Sequence, residues 1–305
     1  MSDFMSRIAS APISWGICEV PGWGAMLPTE RVLGEMASLG LPATELGAPG
    51  FLPDSPQALQ ETLAAHGMSL IGGFTPFVLH DPAQRDAAIA EANRVADLFQ
   101  RCGATHVVTA VVMDEQWSTP RPLDGAEQRY LLEMLGVLDE ICGERGLAQV
   151  LHPHVQTVVE TRDDVHRVLD GCDVKWCLDT GHLAIGGQDP AEFARQAADR
   201  VGHVHLKDVN LDLAPGLLRR EYSIMQGVQR NLFTPLGQGD VPIAEVIEVL
   251  EGAGYRGWYV IEQDTAILGD EPAPGAGPVT AVEQSMTYLR EVVAPRLAGT
   301  AVDPR

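Results

Sequence analysis

Positive charge is scarce in this chain. Its 305 residues carry 21 Lys and Arg against 42 Asp and Glu, a formal net charge of −21, and no cluster of basic residues breaks the excess. A nucleic-acid duplex or an anionic membrane surface would be repelled, so neither is expected as a partner. Long apolar runs are missing too. No segment approaches the roughly 20 uninterrupted apolar residues of a membrane helix. The opening Met1-Ser2-Asp3-Phe4-Met5-Ser6-Arg7 lacks the charged-then-apolar order of a secretion signal. A soluble, cytoplasmic protein is expected. Five cysteines (Cys18, Cys102, Cys142, Cys172, Cys177) are odd in number and form no CxxC pair, which points to buried free thiols in a reducing compartment. What is plentiful is apolar material: 45% of the residues are hydrophobic, enough for the large core of one barrel-sized domain or of two smaller ones.

One alternation organises the chain. Strand-like runs at 8–15, 43–46, 69–73, 106–112, 148–151, 174–178, 202–206 and 258–261 alternate with helical patterns at 29–38, 56–66, 84–101, 126–145, 162–169, 191–198, 243–251 and 280–298. Eight strands alternating with eight helices is the count of an α/β (β/α)8 TIM barrel in one domain, 1–305, with its core at about 8–298 and a frayed tail from Gly299 to Arg305. The strands are short and mostly apolar or β-branched, as expected when both faces are buried. Thr161-Arg162-Asp163-Asp164 reads as a capping box, while Ser55-Pro56 and Asp189-Pro190 place a cap before a first-turn proline. Glycines at 40, 67, 103, 146 and 254 follow helical patterns, where a left-handed C-cap is wanted. Two segments, 208–239 and 264–278, exceed ordinary loop length; both follow strands and are candidate lids.

Metal-ligand side chains end four of the strands. His152 follows Ala148-Gln149-Val150-Leu151, Asp179 follows Val174-Lys175-Trp176-Cys177-Leu178, His205 follows Val201-Gly202-His203-Val204, and Glu262 follows Gly257-Trp258-Tyr259-Val260-Ile261. Parallel barrel strands all point the same way, so four such ends converge on one mouth. Two imidazoles and two carboxylates suit one divalent ion, with Mn or Co favoured and Fe or Zn possible; Mg or Ca would prefer oxygens alone. Residues two apart on a strand share a face, so His203, His205 and Lys207 point alike, as do His152 and His154. His203 lies deepest and reads as a core histidine. Lys207 stands beyond His205, among the substrate groups or paired with Asp208. Glu45, ending the second strand, faces the mouth to hold a hydroxyl, act as a base or form a salt-bridged rim carboxylate.

Three motifs, Leu178-Asp179-Thr180-Gly181-His182, His203-Val204-His205-Leu206-Lys207-Asp208 and Pro235-Leu236-Gly237-Gln238-Gly239-Asp240, with the closing Val260-Ile261-Glu262, resemble the xylose-isomerase-like barrel superfamily of sugar isomerases, epimerases and dehydratases. The opening Ala11-Pro12-Ile13-Ser14-Trp15-Gly16-Ile17-Cys18-Glu19-Val20-Pro21-Gly22-Trp23-Gly24 and Leu151-His152-Pro153-His154 look closer still to inosose (2-keto-myo-inositol) dehydratases. The resemblance implies a polyhydroxy ketone held at the metal in the barrel mouth. In many superfamily members the fifth strand ends in a ligand Glu where this chain has His152, and Glu160 is the fallback ligand; otherwise Glu160 is a solvated helix-entry residue. His182, three residues after Asp179, matches a substrate-facing histidine, the alternative being a group that caps the helix or supports a ligand. Trp15, Trp23 and Phe74 are candidate walls for the apolar face of a ring, against the commoner role of core aromatics.

Dehydration of such a ketone needs a base for the proton beside the carbonyl, stabilisation of the charge that develops, and an acid for the departing hydroxyl. His154 and His182 are the candidates for proton transfer, with Glu45 and Lys207 orienting hydroxyls or serving as reserve bases. Isomerisation or epimerisation of a related sugar shares the first step and is the alternative activity. A phosphodiesterase of the endonuclease type found in the superfamily is disfavoured by the acid balance. The expected partner is a small polyhydroxy ketone, and a homo-oligomer is compatible with the sequence.

Overall fold

The computed structural model describes residues 3–300. Strands β1 (Ile8–Ser10), β2 (Ala43–Glu45), β3 (Ser69–Gly72), β4 (Phe74–Phe77), β5 (His106–Val111), β6 (Ala148–Leu151), β7 (Lys175–Asp179) and β8 (Val201–Leu206) join a later strand, β11 (Tyr259–Ile261), in a nine-stranded sheet ordered β3-β2-β1-β11-β8-β7-β6-β5-β4. Every pairing in it is parallel. A separate antiparallel pair, β9 (Asp208–Val209) and β10 (Phe233–Thr234), lies in the 208–239 segment.

The expected third strand is split. β3 and β4 are two halves of one stave broken at Gly73: β3 pairs with β2 and β4 with β5, so the barrel of eight staves closes through the break. Glycine is required on both sides of the break: a Cβ on Gly72, the last residue of β3, would meet the His106 carbonyl oxygen at 2.6 Å, and one on Gly73 would meet Leu46 Cβ at 2.9 Å. The expected first strand is shortened. It ends at Ser10, and residues Pro12–Trp15 turn into a 3-10 helix closed by Gly16 at φ 80°, since Pro12 has no N–H to continue a ladder.

Helix boundaries follow the expected caps. Ser55 accepts from the Ala58 N–H, Asp189 from Ala191 and Glu192, and Thr161 with Asp164 closes a capping box on helix Arg162–Gly171. The last helix is less regular than expected: Pro278–Tyr288 passes through a π-helical turn, Leu289–Val293, into Ala294–Thr300. Of the expected frayed tail, residues 301–305 lie outside the described residues. The main core packs between strands and helices around Trp15, Phe99, Trp176 and Phe193. The cysteines are free, three buried and two half-buried. Among the described residues no helix is long and apolar enough to cross a membrane.

Candidate functional site

The four proposed ligands meet. His152 directly follows β6, Asp179 ends β7, His205 is the penultimate residue of β8, and Glu262 directly follows β11; these strands are consecutive neighbours in the sheet. The register sets Asp179 beside His205 and Val260 beside His205, while backbone N–H groups of His152 and Glu262 donate to the neighbouring strands at Thr109 and Leu206. His152 Nε2 lies 3.1 Å from Asp179 Oδ2 and 3.2 Å from His205 Nδ1. His205 Nδ1 lies 2.6 Å from Glu262 Oε2 and 3.7 Å from Asp179 Oδ2. All four side chains are buried, and one donor atom from each lies within 4.8 Å of the others.

This donor set fits a divalent ion. Glu262 Oε2 and His205 Nδ1 approach to 2.6 Å, yet Glu262 Oε2 has no aligned hydrogen bond among the described residues, as two ligands aimed at a common point would. Charge argues the same way: Glu45, Asp179, Glu262 and Asp264 are buried around one buried ammonium, Lys207, so the cluster needs further positive charge. Burial pushes the Asp179 carboxyl up, but Lys207 and the surrounding histidines outweigh it and hold it well below the carboxylate range. Glu262 is likewise held down at about 2, against its burial, by His205 and Lys207. Burial depresses His205, but Cys177, Glu262 and Glu45 raise it well above an ordinary histidine. A metal needs the neutral ring, so ion and proton compete for this side chain.

Local sequence explains the aim of Asp179. Its Oδ1 accepts the His182 N–H at 2.7 Å and caps helix Thr180–Ile185, leaving Oδ2 for the cluster. Gly181 in the same motif is required by contact, since a Cβ there would meet Lys207 Cβ at 2.6 Å. Lys207 Nζ in turn lies 2.8 Å from Asp264 Oδ1, 3.1 Å from Glu262 Oε2 and 3.2 Å from His182 Nε2. Burial lowers the lysine, but these carboxylates and Asp179 raise it above its ordinary value, so it is held as an ammonium, against a reserve-base role. Its expected pairing with Asp208 is not the observed one; Asp208 accepts backbone N–H groups from Gly237, Gly239 and Val241 instead.

The His154 and His182 rings lie 3.9 Å apart between centroids, tilted by 36° to each other. His154 Nδ1–H donates to the Val155 carbonyl at 2.6 Å, which leaves Nε2 with its lone pair. His182 faces two donors, the Val155 N–H at Nδ1 (3.3 Å) and the Lys207 ammonium at Nε2. Burial and neighbouring positive charge push His154 down to about 3 and His182 well below the usual range. Glu45 lies deeper, 2% exposed, and accepts from His203 and His205.

Phe74, 36% exposed, stacks on Trp117, 41% exposed, at 6.1 Å and 21°, and Phe74 abuts both His152 and His154 at 5.7 Å. The other expected ring walls sit elsewhere. Trp15 is in the core donating to Glu35, and Trp23 donates to the Thr265 carbonyl, tying the 16–28 loop to the 264–278 loop. Glu160 is neither a fifth-strand ligand nor a solvated helix-entry residue: it is buried in an ion pair with Arg220. Asp264 and Trp117 went unnoticed in the sequence. Asp264 had a signal, an acid two residues beyond Glu262 after a strand; Trp117 sits in a loop at φ 56° and had none.

The chain is matched over residues 33–292 by the model of the xylose isomerase-like TIM barrel family. It is 30% identical over 301 residues to an inosose dehydratase of Geobacillus kaustophilus, covering 94% of both chains. A rhizopine catabolism protein, MocC, of Rhizobium meliloti is 34% identical over 270 residues, 85% of this chain and 81% of the relative. Among solved structures, the IolI protein with a bound zinc atom superposes with a TM-score of 0.68 at 16% identity, over 95% of this chain and 98% of that one.

Proposed function

The chain belongs to the xylose isomerase-like TIM barrel family, and from that premise we propose that it is a cytoplasmic, metal-dependent dehydratase, a carbon–oxygen hydro-lyase that removes water from 2-keto-myo-inositol (inosose) or a close cyclitol ketone in inositol catabolism. The observation that carries the chemistry is the convergence of His152, Asp179, His205 and Glu262 within 4.8 Å at the barrel mouth. The substrate class is supported by the likeness to inosose dehydratases across nearly the whole chain. His152, Asp179, His205 and Glu262 hold the ion, with Mn or Co favoured over Fe or Zn on the mixed nitrogen and oxygen donors. When bound, the ion supplies Lewis-acid stabilisation of the charge that develops on the ketone as the neighbouring proton leaves.

The remaining groups divide the proton work. His154, half-buried, with its Nδ1–H committed to the Val155 carbonyl, presents a neutral Nε2 that accepts the α-proton and then returns it to the departing hydroxyl, which leaves as water. His182 lies between two donors, and a second proton on it would stand 3.2 Å from the Lys207 ammonium. It therefore stays neutral, gives its one lone pair to Lys207, and orients that ammonium toward the substrate. Lys207, clamped by Glu262 and Asp264, donates to a substrate oxygen and stays charged. Phe74 and Trp117 offer an apolar face to the C–H side of the ring.

Incubating the metal-loaded protein with inosose tests this directly. Mass spectrometry of the product should show the loss of one water; recovery only of products of unchanged mass would replace the lyase with the isomerase or epimerase activity.

A further inference from the structure

Across the barrel from the four donors, one carboxylate oxygen holds two histidines. Glu45 Oε1 accepts from His203 Nε2 at 2.7 Å and from His205 Nε2 at 2.9 Å. Glu45 ends β2, and β1 and β11 stand between β2 and the β8 strand that carries both histidines, so the side chain reaches across the interior to the back of the His205 ring. Glu45 is 2% exposed, and its oxygen is already taken by imidazole N–H donors.

We propose that Glu45 is a positioning residue that fixes the tautomer and orientation of His205, so that Nδ1 presents its lone pair to the point shared by His152, Asp179 and Glu262. The inference rests on the reading of those four side chains as metal ligands. A neutral imidazole carries one proton and one lone pair on opposite nitrogens. With Nε2–H donating to Glu45, the lone pair must sit on Nδ1, the atom 2.6 Å from Glu262 Oε2 and 3.2 Å from His152 Nε2. A carboxylate behind a ligand histidine also makes the ring a stronger donor, and loss of such a partner commonly costs 10–100-fold in metal affinity.

His203 completes the clamp. Its Nδ1 has no hydrogen-bond partner among the described residues, and the ring stacks on His106 at 4.8 Å, so its polar contact is with Glu45. Two donors on one oxygen stop that carboxylate from turning toward either ring alone. Glu45, His203 and His205 are also close enough together to be considered as ligands of a second, deeper ion. That arrangement would require His205 to give both ring nitrogens to metal, whereas two N–H donors satisfy the same three atoms with no further charge.

The test is calorimetric titration of the metal-free full-length protein with Mn(II) alone, and separately Zn(II), for the wild type, Glu45→Gln and Glu45→Leu, with a thermal melt of each metal-free protein. The wild type should take up one ion. Glu45→Leu should bind it about 10–100-fold more weakly, and Glu45→Gln, which keeps an acceptor oxygen without the charge, should fall between. A residue serving the fold alone would lower the metal-free melting temperature without this graded loss of affinity. A Glu45→Leu protein that folds and binds within threefold of the wild type overturns the proposal. So does uptake of two ions by the wild type, one of them lost in both variants. If Glu45→Leu does not fold, unchanged affinity in Glu45→Gln overturns it. A wild type that binds neither metal defeats the metal reading itself, an outcome distinct from the failure of Glu45 alone.

Discussion

Glu160 and Arg220 grip each other at two points, Arg220 NH1 to Glu160 Oε1 at 2.8 Å and NH2 to Glu160 Oε2 at 2.5 Å. The pair joins the loop that carries His154 to the 208–239 segment, and Gln156 in the same loop accepts the Ile224 N–H. The segment that looked like a bare lid in the sequence is thus a folded insert, with its own strand pair and short helices Ala214–Leu218 and Ile224–Val228.

Arg220→Ala leaves a buried carboxylate without its charged partner, which should cost about 2 kcal/mol. The loss should be felt in the insert first. Hydrogen exchange should quicken in residues 208–239, and KM should rise more than kcat falls; exchange unchanged there would show that the pair does not hold the insert.

Replacing His154 with Asn keeps much of its hydrogen bonding and removes its proton transfer. Turnover should fall roughly a hundredfold or more with metal content retained. The same change at His182 should act mainly on KM. Near-normal turnover in both variants would move the proton acceptor elsewhere, and a larger kcat loss at His182 would exchange the two roles.

Removing the aromatic wall should weaken binding without touching the chemistry. Phe74→Ala and Trp117→Ala each give up about 1 kcal/mol of ring contact, a rise in KM of about fivefold with kcat nearly unchanged. Unaltered KM in the double variant would rule out ring contact at this wall.

Several of these groups were legible in the sequence and others were not, for a physical reason. Parallel strands share one direction, so a ligand-type residue at the end of a strand reads out as a position at the mouth; His152, Asp179, His205 and Glu262 could be placed that way. Helix starts at Ser55, Thr161 and Asp189 were equally readable, because capping is local. Contacts across the barrel axis are not local. Periodicity tells which face Glu45 occupies but not that His203 and His205, 158 and 160 residues away, will share its oxygen. The break at Gly73 was hidden because the two glycines there answer to residues distant in sequence, Gly72 to the His106 carbonyl and Gly73 to the Leu46 and Phe99 side chains. Trp15 misled because an apolar, aromatic run fits a strand as well as a 3-10 turn buried in the core.

His106 makes the fold acid-sensitive. Burial and the neighbouring His203 push it down to about 3 from an ordinary 6.5, so the folded chain resists a proton that the unfolded chain accepts. Its contribution to stability is complete above about pH 6.5 and is lost as pH falls from there toward about 3. In His106→Gln the difference in unfolding free energy from wild type should therefore change with pH across this window, by up to one proton's worth of slope, and level off above it. A difference that is constant with pH would contradict the assignment.

The most direct test of the account is elemental analysis of the purified protein beside Asp179→Ala and Glu262→Ala, with unfolding curves and turnover of inosose measured on the same samples. Wild type should carry one divalent ion per chain and release water from inosose; both variants should unfold cooperatively, hold no ion and turn over no substrate. A full metal complement in both variants would contradict the four-ligand centre on which the proposed chemistry depends.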